Sequence, residues 1–169
     1  LMEQIVGVPE NVILLGDIVV NRISTTSILT GSDVNISMSL TPFGIFNLNA
    51  ADGATLDIEF PDGFSIPDHS QFGADLRPTY PAVGRFQVNH ISERACILHP
   101  WLLCTNVSLF LADANEWPYN SSFSVTLNNV RTTALSGLTD GSFKFSTSST
   151  VLGRRMDKSR AVQLNIVPN

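Results

Sequence analysis

The chain has 169 residues, enough to bury about 70% of its unfolded surface around one core without metals or a network of staples. Charged residues make up 15% and the formal net charge is -5, with Ser and Thr supplying much of the polarity; that balance argues against nucleic acid and anionic membrane surfaces as partners. The most apolar stretch, Val12 to Val20, is short and broken by Gly16 and Asp17, so neither a transmembrane helix nor a signal peptide is predicted and no membrane insertion is expected. The start at Leu1 reads as a processed or excised piece.

Along the chain the dominant hydrophobic period is two. Residues 1–22 form an N-terminal segment and candidate assembly strand, and 23–169 a single β-sandwich domain. Val12 to Val20 and Ile23 to Leu29 are expected as two strands, the first apolar on both faces. Clear alternation follows in Val34–Leu40, Leu56–Phe60, Phe86 with Val88, Val107–Leu111, Phe123–Leu127, Phe143–Phe145 and Val162–Ile166, the pattern of half-buried strands. Turn residues separate them at Thr30-Gly31-Ser32-Asp33, Asp52-Gly53, Pro61-Asp62-Gly63 and Asp140-Gly141. The stretch from Ser65 to Gly84, with Pro67, Pro78 and Pro81, reads as a long loop. Short strands at this spacing predict an all-β chain, a two-layer antiparallel β-sandwich, with a jelly roll as the alternative.

Cys96 and Cys104 lie eight positions apart on strand-like sequence and are expected to face each other across a hairpin as a disulfide. Three Asn-x-Ser/Thr sequons stand at Asn35, Asn106 and Asn120. Disulfides and glycan acceptors both belong to secretory compartments, so the chain is expected to be extracellular or at the cell surface. Asn35 and Asn106 fall on the polar faces of their strands, with Ile36 and Val107 pointing inward; Asn120 falls in the turn after Trp117-Pro118-Tyr119.

Other residues carry weaker chemistry. A metal reading on Cys96, His99 and Cys104 lacks a fourth ligand. Asp52, Asp57, Glu59 and Asp62 do not follow calcium-loop spacing, and Asp52 and Asp62 stand about 30 Å apart on an extended strand, so no metal or other cofactor is expected. No Gly-x-Ser-x-Gly is present, and His69, His90 and His99 have no recognisable nucleophile partner; no catalytic residue is assigned and no enzyme is expected. Arg154, Arg155, Lys158 and Arg160 read as a solvated turn before the last strand. Trp101, Trp117 and Tyr119 are candidate sugar contacts.

The run Ser32–Leu40, then Gly53–Phe64 ending in Phe60-Pro61-Asp62-Gly63-Phe64, then the cysteine pair, Phe123–Val130 and Thr139–Thr147 resembles the Ig-like β-sandwich repeats of large secreted or cell-surface proteins of microbes and protists. The resemblance covers residues 24–150, with the Phe-Pro-x-Gly-Phe element its most specific part. His99, Pro100 and Trp101 between the cysteines depart from the short polar hairpin usual there. The resemblance implies a structural or adhesive role and no enzyme activity. The expected function is a non-enzymatic structural subunit of a surface layer, appendage or filament, self-associating or joining other extracellular proteins by β-strand addition through Met2–Val8 or the final strand. A carbohydrate-binding module and a viral jelly-roll coat subunit are the alternatives.

Overall fold

A computed structural model describes residues 16–42, 54–78, 85–97, 99–112, 122–138, 142–149, 154–159 and 162–169. They form β1 (Gly16–Thr25), β2 (Asp33–Pro42), β3 (Ala54–Glu59), β4 (Gly73–Pro78), β5 (Arg85–Ala95), β6 (Leu103–Ala112), β7 (Phe123–Arg131), β8 (Gly137–Leu138), β9 (Lys144–Ser149), β10 (Arg154–Ser159) and β11 (Asn165–Ile166). Alternation decides what each strand buries. Ile36, Met38 and Leu40 of β2, Leu56 and Ile58 of β3, Val107 and Leu109 of β6, Phe123, Val125 and Leu127 of β7, and Phe145 of β9 join in one buried cluster.

The strands form a nine-stranded ladder in the order β4-β7-β2-β1-β10-β9-β3-β6-β5, with β8 and β11 as a separate pair. Its one parallel step, Gly16–Ile18 of β1 against Asp157–Ser159 of β10, separates two antiparallel runs, β4-β7-β2-β1 and β10-β9-β3-β6-β5, which correspond to the two layers of a sandwich. With the β5–β6 hairpin and β8 set aside, the first layer has the A-B-E-D order and β10-β9-β3 the G-F-C order of an immunoglobulin sandwich. The fold is therefore an Ig-like β-sandwich and not a jelly roll. The β5–β6 hairpin, inserted between the fourth and fifth Ig strands, extends the second layer from the edge of β3.

The Phe-Pro-x-Gly-Phe element closes β3 onto the core. The Phe64 N–H donates to Pro61 O at 3.2 Å and Gly63 has φ +84°, a turn whose third residue must be left-handed. The turn tucks Phe60 and Phe64 against Phe143, with ring centroids 5.6 and 5.4 Å away. Backbone bonds from Phe60 N to Thr105 O and from Gly63 N to Leu103 O, at 2.9 and 2.8 Å, tie the turn to β6.

Four expectations change. The two N-terminal strands are one, β1, whose register shifts between Val20 and Arg22; the bulge breaks the alternation, which in sequence looks like a gap, and the boundary expected after residue 22 falls inside this strand. The expected loop 65–84 contains β4, which pairs with β7 alone in the ladder; an edge position tolerates Pro78, which would be excluded from a central strand. The basic run is not a turn, because Arg154–Ser159 pairs with β9 on one side and β1 on the other. The final strand is shorter than expected: Val162 bridges Phe143, Asn165–Ile166 pairs with β8, and Val167 bridges Leu29.

Candidate functional site

The β5–β6 hairpin carries the most distinctive chemistry. Arg94 stands opposite Cys104 and Ala95 opposite Leu103, and the Cys96 N–H donates to Leu102 O at 3.0 Å. The two cysteines are thus diagonal across the hairpin and not directly opposed, and they form a disulfide with a Cα separation of 5.0 Å, inside the range a disulfide spans. Beyond it, Leu102 N–H donates to His99 O at 2.8 Å, closing a four-residue turn with Pro100 in second place, where its fixed φ fits. His99, Pro100 and Trp101 therefore form the turn instead of disrupting the hairpin. The clamp leaves apolar surface outside: Ile97 is 89% and Trp101 75% exposed, and Leu103 is exposed as well. The Trp101 ring leans on His99 at a centroid distance of 5.2 Å.

Beneath the tip, a partly buried polar cluster centred on Glu93 and the buried Thr105 holds the β3–β4 connection. Glu93 Oε1 accepts from the Ile66 N–H at 3.0 Å, and the single Thr105 hydroxyl proton is shared between Phe64 O at 2.8 Å and Glu93 Oε1 at 3.2 Å. Glu93 Oε2 meets His69 Nε2 at 3.4 Å. Asp68 accepts from the Ser70 hydroxyl and the Ser70 N–H, and those bonds hold its carboxyl below the usual carboxylate range. At the neighbouring loops Thr132 Oγ1 donates to Leu29 O at 2.7 Å and accepts from Ser32 N–H at 2.9 Å.

Asp62, Cys96 and Cys104 place ligand atoms within 4.8 Å of one another. The sulfurs are bonded to each other, so neither offers a thiolate, and the 3.3 Å approach of Asp62 Oδ1 to Cys104 Sγ is a contact, since a disulfide sulfur has no proton to donate.

The outer faces of the layers are polar and carry two of the sequons. On the second layer, Asn106 lies between Glu59 of β3 and Ser92 of β5, in a groove of about 450 Å³ walled by Glu59, His90, Ser92, Arg94 and Lys144. Lys144 Nζ and Glu59 Oε1 pair at 2.7 Å, and Asp57 accepts from Ser108, Ser148 and Thr55 at 2.7, 2.5 and 3.1 Å. On the first layer, exposed Asn35 lies in a depression of about 380 Å³ with Thr26, Asp33, Gln71 and Asn128. The β7 strand bulges opposite it: Val34 pairs with Val130 but Ile36 with Leu127, leaving Asn129 at φ +60° with its N–H donating to Asn35 Oδ1 at 3.4 Å. Arg131 grips Asp33 through Nε and Nη2 at 2.8 and 3.1 Å. These hydrogen bonds, with the guanidinium charge, lower the Asp33 pKa and raise that of Arg131.

Of the residues singled out in sequence, the structure joins Cys96 with Cys104, sets His99 and Trp101 on the same tip, and places Asn35 and Asn106 on opposite outer faces. Asp57 and Glu59 face outward, occupied by hydroxyls and by Lys144. Asp52, Trp117, Tyr119, Asn120, Arg160 and the segment Met2–Val8 lie outside the described residues. Sequence reasoning missed Glu93 and Thr105. A Thr at an inward position of β6, where Val107 and Leu109 follow two and four residues on, is the signal that finds a buried hydroxyl seeking a backbone carbonyl.

The site belongs to an Ig-like sandwich with a disulfide-clamped hairpin added to one layer. No protein-family model and no curated protein matches the chain. Among solved structures, the crystal structure of BslA, a bacterial hydrophobin, is similar at 15% identity and a TM-score of 0.43, covering 91% of this chain and 99% of that one. The functional reading rests on the residues of this chain.

Proposed function

We propose that the chain is a non-enzymatic extracellular structural module, a building block of a surface layer, appendage or filament, that makes contact through its hairpin tip. The observation that carries this is the Cys96–Cys104 bridge behind a turn that leaves Ile97 and most of Trp101 in water. A disulfide persists in oxidising compartments. A clamp of this kind removes conformational freedom from the tip before it binds, which lowers the entropic cost of contact, and exposed Trp is a residue type concentrated at interface hot spots. Strand addition is the second route, with Met2–Val8 as donor and β4 or β5, the ends of the ladder, as acceptor; the final segment already pairs within its own chain.

Sedimentation velocity over a range of concentrations tests this. Self-association should grow with concentration and weaken in Ile97→Ser and Trp101→Ala. A chain that stays monomeric at the highest concentration counts against the proposal. The carbohydrate-binding reading is favoured by one observation, the Trp101 ring held open to solvent beside His99. A glycan array showing binding that Trp101→Ala abolishes would promote it over self-assembly.

A further inference from the structure

We infer that the outer-face groove of the β10-β9-β3-β6-β5 layer is the seat of a saccharide carried covalently on Asn106. This rests on the extracellular reading proposed above, because N-glycosylation is added to chains entering the secretory route. Position comes first. Val107 is 1% exposed, so strand alternation turns Asn106 away from the core, onto a face where Glu59 and Ser92 are its cross-strand neighbours. The sequon thus opens into a groove and not onto a flat or convex surface.

Size and chemistry agree with that occupant. The groove holds about 450 Å³, inside the range of about 300–1,000 Å³ typical of small-ligand sites and suited to the first sugar rings of a glycan. A sugar presents hydroxyls, and the amino sugar joined to Asn adds an N-acetyl group, so it needs donors and acceptors along both sides. Arg94 and His90 supply donors and the Ser92 hydroxyl can both donate and accept, while Lys144 and Glu59, paired with each other at 2.7 Å, add the N–H groups and lone pairs that pairing leaves over. All stand on strands, or in their ladder pairs, and not on long loops, so the set is ordered before the sugar arrives. Tethering also relaxes the affinity required, since a linked group is held at an effective concentration in the millimolar range. Among the described residues, the depression around exposed Asn35 is lined by Thr26, Asp33, Val34, Gln71, Asn128 and Asn129, with no Lys, Arg or His.

The test uses the full chain secreted from a glycosylating eukaryotic cell, with site occupancy read by peptide mapping. An amidase that cleaves Asn-linked glycans is then applied to folded and to denatured protein. Release from Asn106 should be about tenfold slower in the folded state, the protection that one or two net hydrogen bonds supply. His90→Ala with Arg94→Ala should restore most of that rate while leaving release from Asn35 unchanged. Asn106 found bare, or a folded rate within about twofold of the denatured one, overturns the inference. Failure of the extracellular reading registers elsewhere, as free thiols at Cys96 and Cys104 in material from the native source.

Discussion

At Gly63 two separate costs meet. Its φ of +84° is strained for any other residue, and an added Cβ would lie 2.5 Å from Thr133 Oγ1. Gly31 is also left-handed, at φ +66°, but has nothing within 4 Å of such a Cβ. Gly31→Ala should therefore cost about 1 kcal/mol, from backbone strain alone, and Gly63→Ala roughly 2–4 kcal/mol, with unfolding in urea as the measurement. Equal losses would mean that the contact with Thr133 is not what requires glycine there. The acid limb is also a residue-scale matter. Asp33 and Asp68 both have depressed pKa values in the folded chain. Their contribution to stability is complete above the unfolded carboxylate range, near pH 4, and is lost as pH falls through the lower folded values. Both are solvent-exposed, so the effect is small. Thermal melts should be level from neutral pH to about 5 and decline below about 4, and Arg131→Gln should flatten that decline.

Among the elements, the hairpin shows what a bridge can and cannot do. Cys96 and Cys104 are separated by eight positions, and closing so short a loop stabilises by about 2.5 kcal/mol in the chain-entropy model. Replacing both with Ser should lower the melting temperature by about 5–10 °C while leaving the far-ultraviolet spectrum of a β-sandwich. Loss of the folded spectrum would show that the bridge holds more than its own hairpin. Glu93 and Thr105 argue for local damage, since they pin the β3–β4 connection without the sulfurs. What the sequence disclosed about elements follows from the same physics. Strands with one wet face, such as β2 and β6, show themselves by alternation, and the Phe-Pro-x-Gly-Phe turn by its glycine and its two apolar ends. β4 stays hidden because an edge strand with Gly73 and Pro78 has almost no strand propensity. β10 stays hidden because its charge resembles a solvated turn, whereas its backbone is claimed from both sides. The β7 bulge was readable after all: the buried positions step from Leu127 to Val130, a spacing of three that only an extra residue explains.

For the whole molecule, Ig order emerges from pairings that no local pattern announces. The parallel β1–β10 contact joins chain ends about 140 residues apart, as the register shows, and fixes which layer each strand enters. Polar grooves with sequons occupy the two outer faces, and among the described residues the two most exposed large apolar side chains, Ile97 and Trp101, stand at the hairpin tip, while Val19, Ile28, Leu29 and Leu135 are exposed to a lesser degree elsewhere. The candidate site was legible only in part: the cysteines and Trp101 stand out in sequence, but the wall of charges around Asn106 is assembled from three strands distant along the chain. The reading depends above all on an oxidising home for the disulfide. Intact-mass analysis of material taken directly from its native source, with and without reductant, tests this most directly. The unreduced chain should be lighter by the two thiol hydrogens, with peptide mapping linking Cys96 to Cys104. Two free thiols in that material would contradict the extracellular assignment and the structural role built on it.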